Sequence, residues 1–266
     1  MRVTVVTVAY NAAPTISDTV RSVAAQRGVD VEHLIIDGGS TDGTLPLLAG
    51  LGAPNLRVIS DPDHGLYDAM NKGLKLAQGD VVGFLNADDF FCRIDALQLI
   101  AASISASGCD AVSASIAIVD THNADKIVRS YGSMGFRPWM FHFAHMPPHP
   151  GFYVRTEAAR TVGELNTNYQ IAADFDWLAR FYLEHRFSVE AIPQTLVAMR
   201  SGGVSQRGLK SMRKLNSEAA LSLAALGRPM PQPLMWLKYA AKSQQFLRHN
   251  TDYPSPANVA WSPLEA

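Results

Sequence analysis

Strand-like and helix-like segments alternate along the first third of the chain, and this alternation restricts the fold more than any other feature of the sequence. Apolar residues recur at helical spacing after Pro14 and again over residues 66–77, which predicts two helices. Strands joined by helices pair in parallel, so we expect an α/β fold with a doubly wound, mainly parallel sheet flanked by helices. The four predicted strands comprise residues 3–8, 34–36, 57–60 and 81–85, and the first is apolar on both faces, as a central parallel strand should be.

The second half of the sequence is less regular and predicts a mixture of helices and short strands. The predicted helices comprise residues 94–107, 174–184, 209–226 and 234–248. The predicted strands comprise residues 111–119, 126–131, 187–192 and 196–200, the first two forming an antiparallel pair.

The length of 266 residues and a hydrophobic content of 47% allow one large domain with an appended segment. We predict a ligand-binding and catalytic domain over residues 1–205 and a helical extension over residues 206–249. The proline-rich stretch 250–266 is predicted to be loose.

Charge and targeting signals exclude several classes of protein. The formal net charge of -1 argues against nucleic acid as a partner. Cys92 and Cys109 fit neither a disulfide framework nor a zinc pattern, which favours a reducing compartment. The sequence begins with a short apolar strand rather than a signal peptide, and no apolar run approaches the roughly 20 residues of a membrane-spanning helix. We therefore expect a cytoplasmic protein.

Polar residues stand at the carboxyl ends of all four predicted parallel strands. These residues are Asn11, Asp37, Asp61 and the pair Asp88-Asp89. In open α/β sheets, ligands bind outside the carboxyl ends of the strands. Four polar ends on one edge of a sheet therefore predict a binding site there.

The pair Asp88-Asp89 has two interpretations. Adjacent carboxylates repel each other unless a cation or protons relieve the repulsion. Mg²⁺ and Mn²⁺ prefer oxygen ligands, and Mg²⁺ commonly shares them with substrate phosphates, so the pair indicates a metal that holds a diphosphate. Alternatively, the two acids cap the helix predicted to begin near Ile94. Taken alone, the pair leaves both interpretations open.

Four motifs, found in order along the chain, resemble those of the family 2 glycosyltransferases. They comprise residues 7–11 (TVAYN), 37–44 (DGGSTDGT), 63–73 (DHGLYDAMNKG) and 86–89 (NADD). The resemblance covers about residues 1–200. It implies the GT-A fold and an inverting, metal-dependent transferase that uses a nucleotide diphosphate sugar, with UDP as the favoured nucleotide.

The resemblance also implies a set of donor-binding residues. Asp37 resembles the acid that hydrogen-bonds the nucleobase, although a turn in a glycine-rich loop is its alternative role. Asn71 and Lys72 resemble residues that reach the nucleotide or its phosphates. The full donor set comprises Thr7, Ala9, Tyr10, Asn11, Asp37, Gly38, Asp61, Asn71, Lys72, Asn86, Ala87 and Asp89.

The predicted metal motif departs from the common Asp-x-Asp form because Asn86 occupies the position of the first acid. An amide oxygen can still bind a cation but brings no charge. Asp88 is therefore the predicted ligand of Mn²⁺ or Mg²⁺, and Asp89 either joins it or holds the donor sugar.

Asp174 is the predicted catalytic base, because residues 172–180 resemble the family segment in which an acid near a helix start has that role. A helix cap is its alternative role. Asp176 is the second candidate, although it is spaced to pair with Arg180. His149, Asp176 and Arg180 are predicted to contact the acceptor or the donor.

The expected acceptor is a saccharide or a lipid-linked hydroxyl compound. The helix predicted over residues 234–248 combines aromatic and basic residues, as in helices that lie on the inner face of a membrane. Packing on the domain or on a second subunit, as in a homodimer, is the alternative. Two other functions remain open: a nucleotide-sugar-binding assembly protein without transferase activity, and a sugar-nucleotide pyrophosphorylase.

Overall fold

The computed structural model describes residues 1–53, 55–202 and 208–229, together with Tyr253. A nine-stranded sheet forms the centre of the molecule, and helices pack on both of its faces. The strands are β1 (Arg2–Ala9), β2 (Asp30–Asp37), β3 (Leu56–Ser60), β4 (Val81–Phe84), β5 (Phe90–Phe91), β6 (Ala111–Val119), β7 (Ile127–Tyr131), β8 (Phe152–Arg155) and β9 (Val189–Arg200). The helices are α1 (Ile16–Ala24), α2 (Thr44–Gly50), α3 (Leu66–Leu76), α4 (Ala96–Ser107), α5 (Thr156–Val162), α6 (Ala173–Ala179) and α7 (Gly208–Ala225).

The sheet has the strand order β3-β2-β1-β4-β8-β6-β9-β5, and β7 pairs with β6. The first four strands are parallel, as the alternation of strands and helices predicts. The other half is mixed: β8 runs antiparallel to β4 and β6, and β9 runs parallel to β6. The predicted α/β class is confirmed.

The strand β1 lies between two hydrophobic cores, which explains why it is apolar on both faces. Val6 packs in one cluster with Met70 and Leu74 of α3. Val5 points to the other face and packs in a cluster with Leu97 of α4. Burial of both faces of a parallel strand requires such helices on each side.

The two short strands predicted at residues 187–192 and 196–200 form one continuous strand, β9. Ala114 of β6 pairs with Ile192, and the next residue, Ser115, pairs with Thr195. The register between the two strands therefore skips Pro193 and Gln194. Proline cannot donate to a strand ladder and is tolerated at a bulge. The sequence pattern breaks at this bulge although the strand continues.

The helix predicted over residues 174–184 is α-helical only as far as Ala179 and continues as a π-helical turn over Arg180–Glu184. The helix α7 packs against α6, and its Ala219 and Leu223 are fully buried in the same core. The segment predicted as an extension thus contributes directly to the core of the fold.

The final predicted helix, residues 234–248, lies outside the described residues. In the part of the tail that the structure describes, the Tyr253 hydroxyl donates to the Ala124 carbonyl oxygen at 2.9 Å. No helix among residues 1–53, 55–202 and 208–229 is long and apolar enough to cross a membrane.

Gly83 lies where β4 crosses the fully buried ring of Tyr153. A Cβ atom at Gly83 would stand 2.3 Å from Tyr153 Cε1. We therefore expect Gly83→Ala to destabilise the fold by about 1–3 kcal/mol, the typical cost of overpacking a core. Thermal unfolding measures this loss as a lower Tm.

Gly50→Ala is the matched control for this substitution. Apart from its chain neighbours and the backbone of its own helix, no atom of the described residues lies within 4 Å of the Cβ position of Gly50, which is the last residue of α2. Alanine is favoured over glycine in helices by roughly 0.5–1 kcal/mol, so the Tm is expected to stay level or rise. Equal melting temperatures for the two variants would contradict the packing argument.

Candidate active site

The carboxyl ends of the four parallel strands meet at one edge of the sheet. Because β3, β2, β1 and β4 are consecutive neighbours, the residues that follow them form a continuous row. Tyr10 follows β1, Gly38 follows β2, Asp61 follows β3 and Asn86 lies two residues after β4. The fold therefore brings together the segments that the four sequence motifs occupy.

Two loops at this edge are joined by hydrogen bonds. The backbone N–H of Asn11 donates to the Ser40 hydroxyl at 2.8 Å, and the N–H of Thr41 donates to Asn11 Oδ1 at 2.9 Å. The N–H of Ala12 donates to the Thr44 hydroxyl at 2.9 Å. Asn11 has a φ of 49°, a left-handed conformation that asparagine tolerates better than most residues. Its described contacts hold the two loops in place.

Asp37 is fully buried and organises the loop that follows β2. Its carboxylate accepts hydrogen bonds from the Ser40 and Ser60 hydroxyls and from the N–H groups of Gly39 and Ser40. Burial alone would raise the pKa of this carboxyl, but these hydrogen bonds hold the pKa below its usual value. These contacts match the alternative role of Asp37, in which it stabilises a turn in a glycine-rich loop. In this conformation the carboxylate does not face an open surface.

Two residues of the predicted donor set are engaged inside the fold. Thr7 is fully buried, and its hydroxyl lies 3.0 Å from His33 Nε2. The Asn71 amide donates to the Leu165 carbonyl at 2.9 Å and accepts from the Leu165 N–H at 2.8 Å. Asn71 lies on the inward face of α3, where both of its polar atoms are occupied. In this conformation both side chains make structural contacts, and donor binding by them stays a prediction.

Other members of the donor set remain accessible. The Tyr10 side chain is 68% exposed at the end of β1. Lys72 Nζ lies 3.2 Å from Asp61 Oδ2 and donates to the Pro62 carbonyl at 2.9 Å. Gly38 leaves room for Asp63, whose Oδ2 lies 2.5 Å from the position of an added Cβ. An aromatic face and a paired ammonium group thus line this edge.

Asn86, Asp88 and Asp89 lie in the loop after β4, and the two adjacent acids differ in burial and in hydrogen-bond partners. Asp89 is fully buried, and its carboxylate accepts from the Asn86 amide at 3.1 Å and from the Arg200 N–H at 3.3 Å. Burial and the nearby Asp88 charge raise the pKa of Asp89 well above its usual value. Asp89 is therefore an internal residue of the loop, and Ala87 is buried beside it.

Asp88 has a carboxylate that accepts no hydrogen bond from another residue in the described part of the chain, and burial raises its pKa. The neighbouring Asn86 Oδ1 is buried and has no hydrogen-bond partner among those same residues. Groups of three or more acidic, histidine or cysteine side chains suited to a metal are absent from the described residues. A site of one carboxylate and one amide oxygen fits a cation that takes its remaining ligands from phosphates and water.

Arg200, at the end of β9, holds this loop in place. Its guanidinium donates to the Asp88 carbonyl at 2.8 Å and to Asp18 Oδ2 at 2.5 Å. The same group lies 5.1 Å from the centre of the Phe90 ring. Sequence reasoning missed this residue because its partners are distant in the chain. Its position at the end of a predicted strand was the one available signal.

Asp174 lies in the first turn of α6, and its Oδ1 accepts from the Phe175 N–H at 2.8 Å. Burial raises the pKa of this carboxyl to about 6, the backbone N–H groups oppose the shift, and the charge of Glu218 adds to it. Burial raises the pKa of the Tyr67 hydroxyl and the charge of Asp174 adds to that shift, so the two side chains lie close together. Tyr67 lies in the first turn of α3, the helix that follows β3, and this proximity brings the start of α6 next to the start of α3.

Asp176 and Arg180 form the predicted ion pair, with Arg180 Nε 3.0 Å from Asp176 Oδ2. Asp176 also accepts from the Ser222 hydroxyl at 2.8 Å, and Arg180 donates to the Glu164 carbonyl at 2.7 Å. Asp176 is buried between helices. In this conformation both side chains hold α6 against its neighbours, and the substrate contacts of this pair stay a prediction.

His149 stacks on Phe84 at the end of β4, with ring centres 5.4 Å apart. Its two ring nitrogens are buried and have no hydrogen-bond partner in the described structure. Burial lowers the pKa of the imidazole to about 4, so the ring is neutral near pH 7. Its unused polar atoms and its place beside β4 are compatible with the predicted ligand contact.

Comparison with known proteins identifies relatives of the whole first half of the chain. The model of the family described as "Glycosyl transferase family 2" matches residues 4–160. A PGL/p-HBAD biosynthesis glycosyltransferase of Mycobacterium bovis (strain BCG / Pasteur 1173P2) is 33% identical over 187 residues, which span 65% of this chain and 66% of that protein. An uncharacterized glycosyltransferase of Mycobacterium tuberculosis (strain CDC 1551 / Oshkosh) is 30% identical over 183 residues, covering 67% and 68%.

Solved structures share the fold at lower sequence identity. TarS 1-349 of S. aureus in complex with UDP-GlcNAc superposes with a TM-score of 0.65 and 17% identity, covering 84% of this chain and 66% of that one. The mannosyltransferase PcManGT from Pyrobaculum calidifontis, in complex with GDP-Man and Mn²⁺, gives a TM-score of 0.63 and 20% identity, covering 96% and 73%. Sheet, strand-end motifs and relatives agree: the chain belongs to glycosyl transferase family 2 and has the GT-A fold.

Proposed function

We propose that this chain is an inverting glycosyltransferase that moves a sugar from a nucleotide diphosphate sugar to a hydroxyl group of a saccharide or lipid-linked acceptor. The observation that carries the proposal is the placement of Asp174. Its carboxyl, with a pKa of about 6, lies in the first turn of α6 and close to Tyr67 in the first turn of α3, the helix that follows β3. A carboxyl with that pKa is ionised near pH 7 and can still accept a proton, as a general base must.

The donor half of the site lies along the ends of β1 to β4. The exposed Tyr10 ring offers a face for the nucleobase, and Lys72 offers an ammonium group to the phosphates. Asp88 and Asn86 would hold Mn²⁺ or Mg²⁺ together with the diphosphate. Such a cation offsets the negative charge that develops on a leaving diphosphate.

Asp174 is the proposed base in the acceptor half. Its carboxylate accepts the proton of the acceptor hydroxyl while the hydroxyl oxygen forms a bond to the anomeric carbon. The bond between that carbon and the diphosphate oxygen breaks, and the diphosphate leaves with the bonding electrons. Attack from the face opposite the leaving group inverts the anomeric configuration.

The relatives support a nucleotide sugar as donor without selecting the nucleotide, since one solved relative holds UDP-GlcNAc and another holds GDP-Man. We propose UDP as the preferred nucleotide. The cytoplasmic location, the membrane contact of the final helix and a homodimer stay predictions.

A thermal-shift screen of nucleotide sugars with Mn²⁺ or Mg²⁺ tests the proposal. A ligand that binds only the folded state stabilises it by about 2.7 kcal/mol at 100 times its Kd. We expect UDP-sugars to raise the Tm in the presence of the cation, and the stabilising donor to be hydrolysed slowly without an acceptor. Binding without hydrolysis or transfer would instead indicate an assembly protein, and release of sugar 1-phosphate on addition of pyrophosphate would indicate a pyrophosphorylase.

A further inference from the structure

Glu218 reaches from α7 to the segment that leads into α6, and it is only 4% exposed. Its carboxylate accepts three consecutive backbone N–H groups: those of Gln170 at 3.0 Å, Ile171 at 2.9 Å and Ala172 at 3.0 Å. Hydrogen bonds to an ionised acceptor are stronger than neutral ones. These three bonds fix the backbone that ends two residues before Asp174.

The helix α7 is itself held against α6 by further contacts. The Ser222 hydroxyl, one turn after Glu218, donates to Asp176 Oδ1 at 2.8 Å. Ala219 is fully buried between the two helices, and Lys214 Nζ lies 3.4 Å from Glu218 Oε1. These contacts fix the carboxylate of Glu218 relative to the start of α6.

We propose that Glu218 is a positioning residue for the base: it fixes the backbone that carries Asp174 and places a second negative charge close to that carboxylate. The inference rests on the proposed function, in which Asp174 accepts the acceptor proton. General-base catalysis requires heavy atoms about 2.6–3.2 Å apart. A displacement of about 1 Å can cost roughly 10²-fold in rate, so the start of α6 has to be held firmly.

The charge of Glu218 gives the proposal a measurable signature. Among the described residues, the titratable groups whose charges or pKa values are coupled to Asp174 are Glu218 from α7, Tyr67 from α3 and Tyr131 from β7. Burial raises the pKa of both tyrosines, so they stay neutral near pH 7. Glu218 is then the charged group of this set, and its charge helps to keep the pKa of Asp174 high. Removing that charge should lower the pKa of Asp174. The rise of kcat with pH on the acidic side of the profile (the acidic limb) should then move to lower pH.

Glu218→Gln is the main test, because it removes the charge and keeps the size of the side chain. We expect kcat to fall by about 10–10²-fold, the KM for the donor to stay nearly unchanged, and the acidic limb to move to lower pH. Hydrogen exchange at the N–H groups of residues 170–172 should become faster, a readout that does not depend on activity. Glu218→Asp keeps the charge but shortens the reach, so it should lower kcat without moving the limb.

Two matched variants separate this role from loss of packing. Ser222→Ala loosens α7 without changing a charge near Asp174, so the limb should not move. Glu157→Gln alters an exposed glutamate in the first turn of α5 and should behave like the wild type. An unchanged acidic limb in Glu218→Gln, or wild-type turnover in both Glu218 variants, would overturn the proposal. If Asp174→Asn is inactive at the same time, the proposed function survives that result; if Asp174→Asn keeps wild-type turnover, both proposals fail.

Discussion

Asp174→Asn is expected to lower turnover by about 10²–10⁴-fold, the usual contribution of a general base. Asparagine keeps the size of the side chain and can still accept from the Phe175 N–H, but it cannot take a proton from the acceptor. Donor affinity and Tm should change little, because the contacts of Asp174 with the described residues are local. Transfer assays at saturating donor, with thermal unfolding as a check on folding, measure these quantities.

Asp176→Asn is the matched control, since it alters the neighbouring acid of the same helix. Asp176 pairs with Arg180 and accepts from Ser222, so this variant should lose stability, by roughly 1–3 kcal/mol, and keep most of its turnover. The reverse pattern, with an inactive Asp176→Asn and an active Asp174→Asn, would assign the base to Asp176.

The pH dependence of turnover provides an independent check on the same residue. Burial raises the pKa of Asp174 to about 6, and a base acts in its deprotonated form. Turnover of the wild type should therefore rise between about pH 5 and pH 7 and then level off. A profile that is flat down to pH 4, near the ordinary pKa of an aspartate, would contradict the assignment.

Asp88→Asn is expected to remove the effect of the cation on donor binding and to lower turnover by about 10²-fold or more. The reason is that Asp88 offers the accessible carboxylate of the loop after β4, while Asn86 offers a neutral oxygen. Replacing Asp88 leaves two neutral amides for a divalent ion. Thermal shifts with UDP, measured with and without Mn²⁺, should coincide for the variant and differ for the wild type.

Asp89→Asn distinguishes the two adjacent acids. Asp89 is buried and bonded to Asn86 and Arg200, so its replacement should cost stability while the cation effect persists. Asp95→Asn, which alters a partly exposed partner of Arg93, serves as the surface control. A cation effect that is lost in Asp89→Asn and kept in Asp88→Asn would reverse the assignment of the metal ligand.

The parallel half of the fold could be predicted from sequence because each strand is apolar and is followed by a helix or a polar loop. The ion pair of Asp176 and Arg180 could also be predicted, since a separation of four residues places them on one helix face. The bulge at Pro193 could not, because its ladder partner lies some 80 residues earlier in β6. Local sequence patterns therefore predict helices and strands more reliably than they predict which residues pair between strands.

The candidate site was only partly predictable for the same reason. Motif membership assigns Asn71 to the donor site, yet the helical spacing that buries Met70 and Leu74 also turns Asn71 inward. Glu218 lies 46 residues from the Ala172 N–H group that it binds, and Arg200 lies 182 residues from Asp18. No local pattern marks contacts over such separations, because the tertiary fold creates them.

The reciprocal amide pair between Asn71 and Leu165 ties α3 to the segment between α5 and α6. It joins residues that are 94 positions apart in sequence. The intervening chain includes the aromatic stretch 136–145, in which Phe141 is fully buried and packs on Phe175 of α6. A loop exchanged into this stretch must therefore keep Phe141, because that ring supports the helix that carries Asp174.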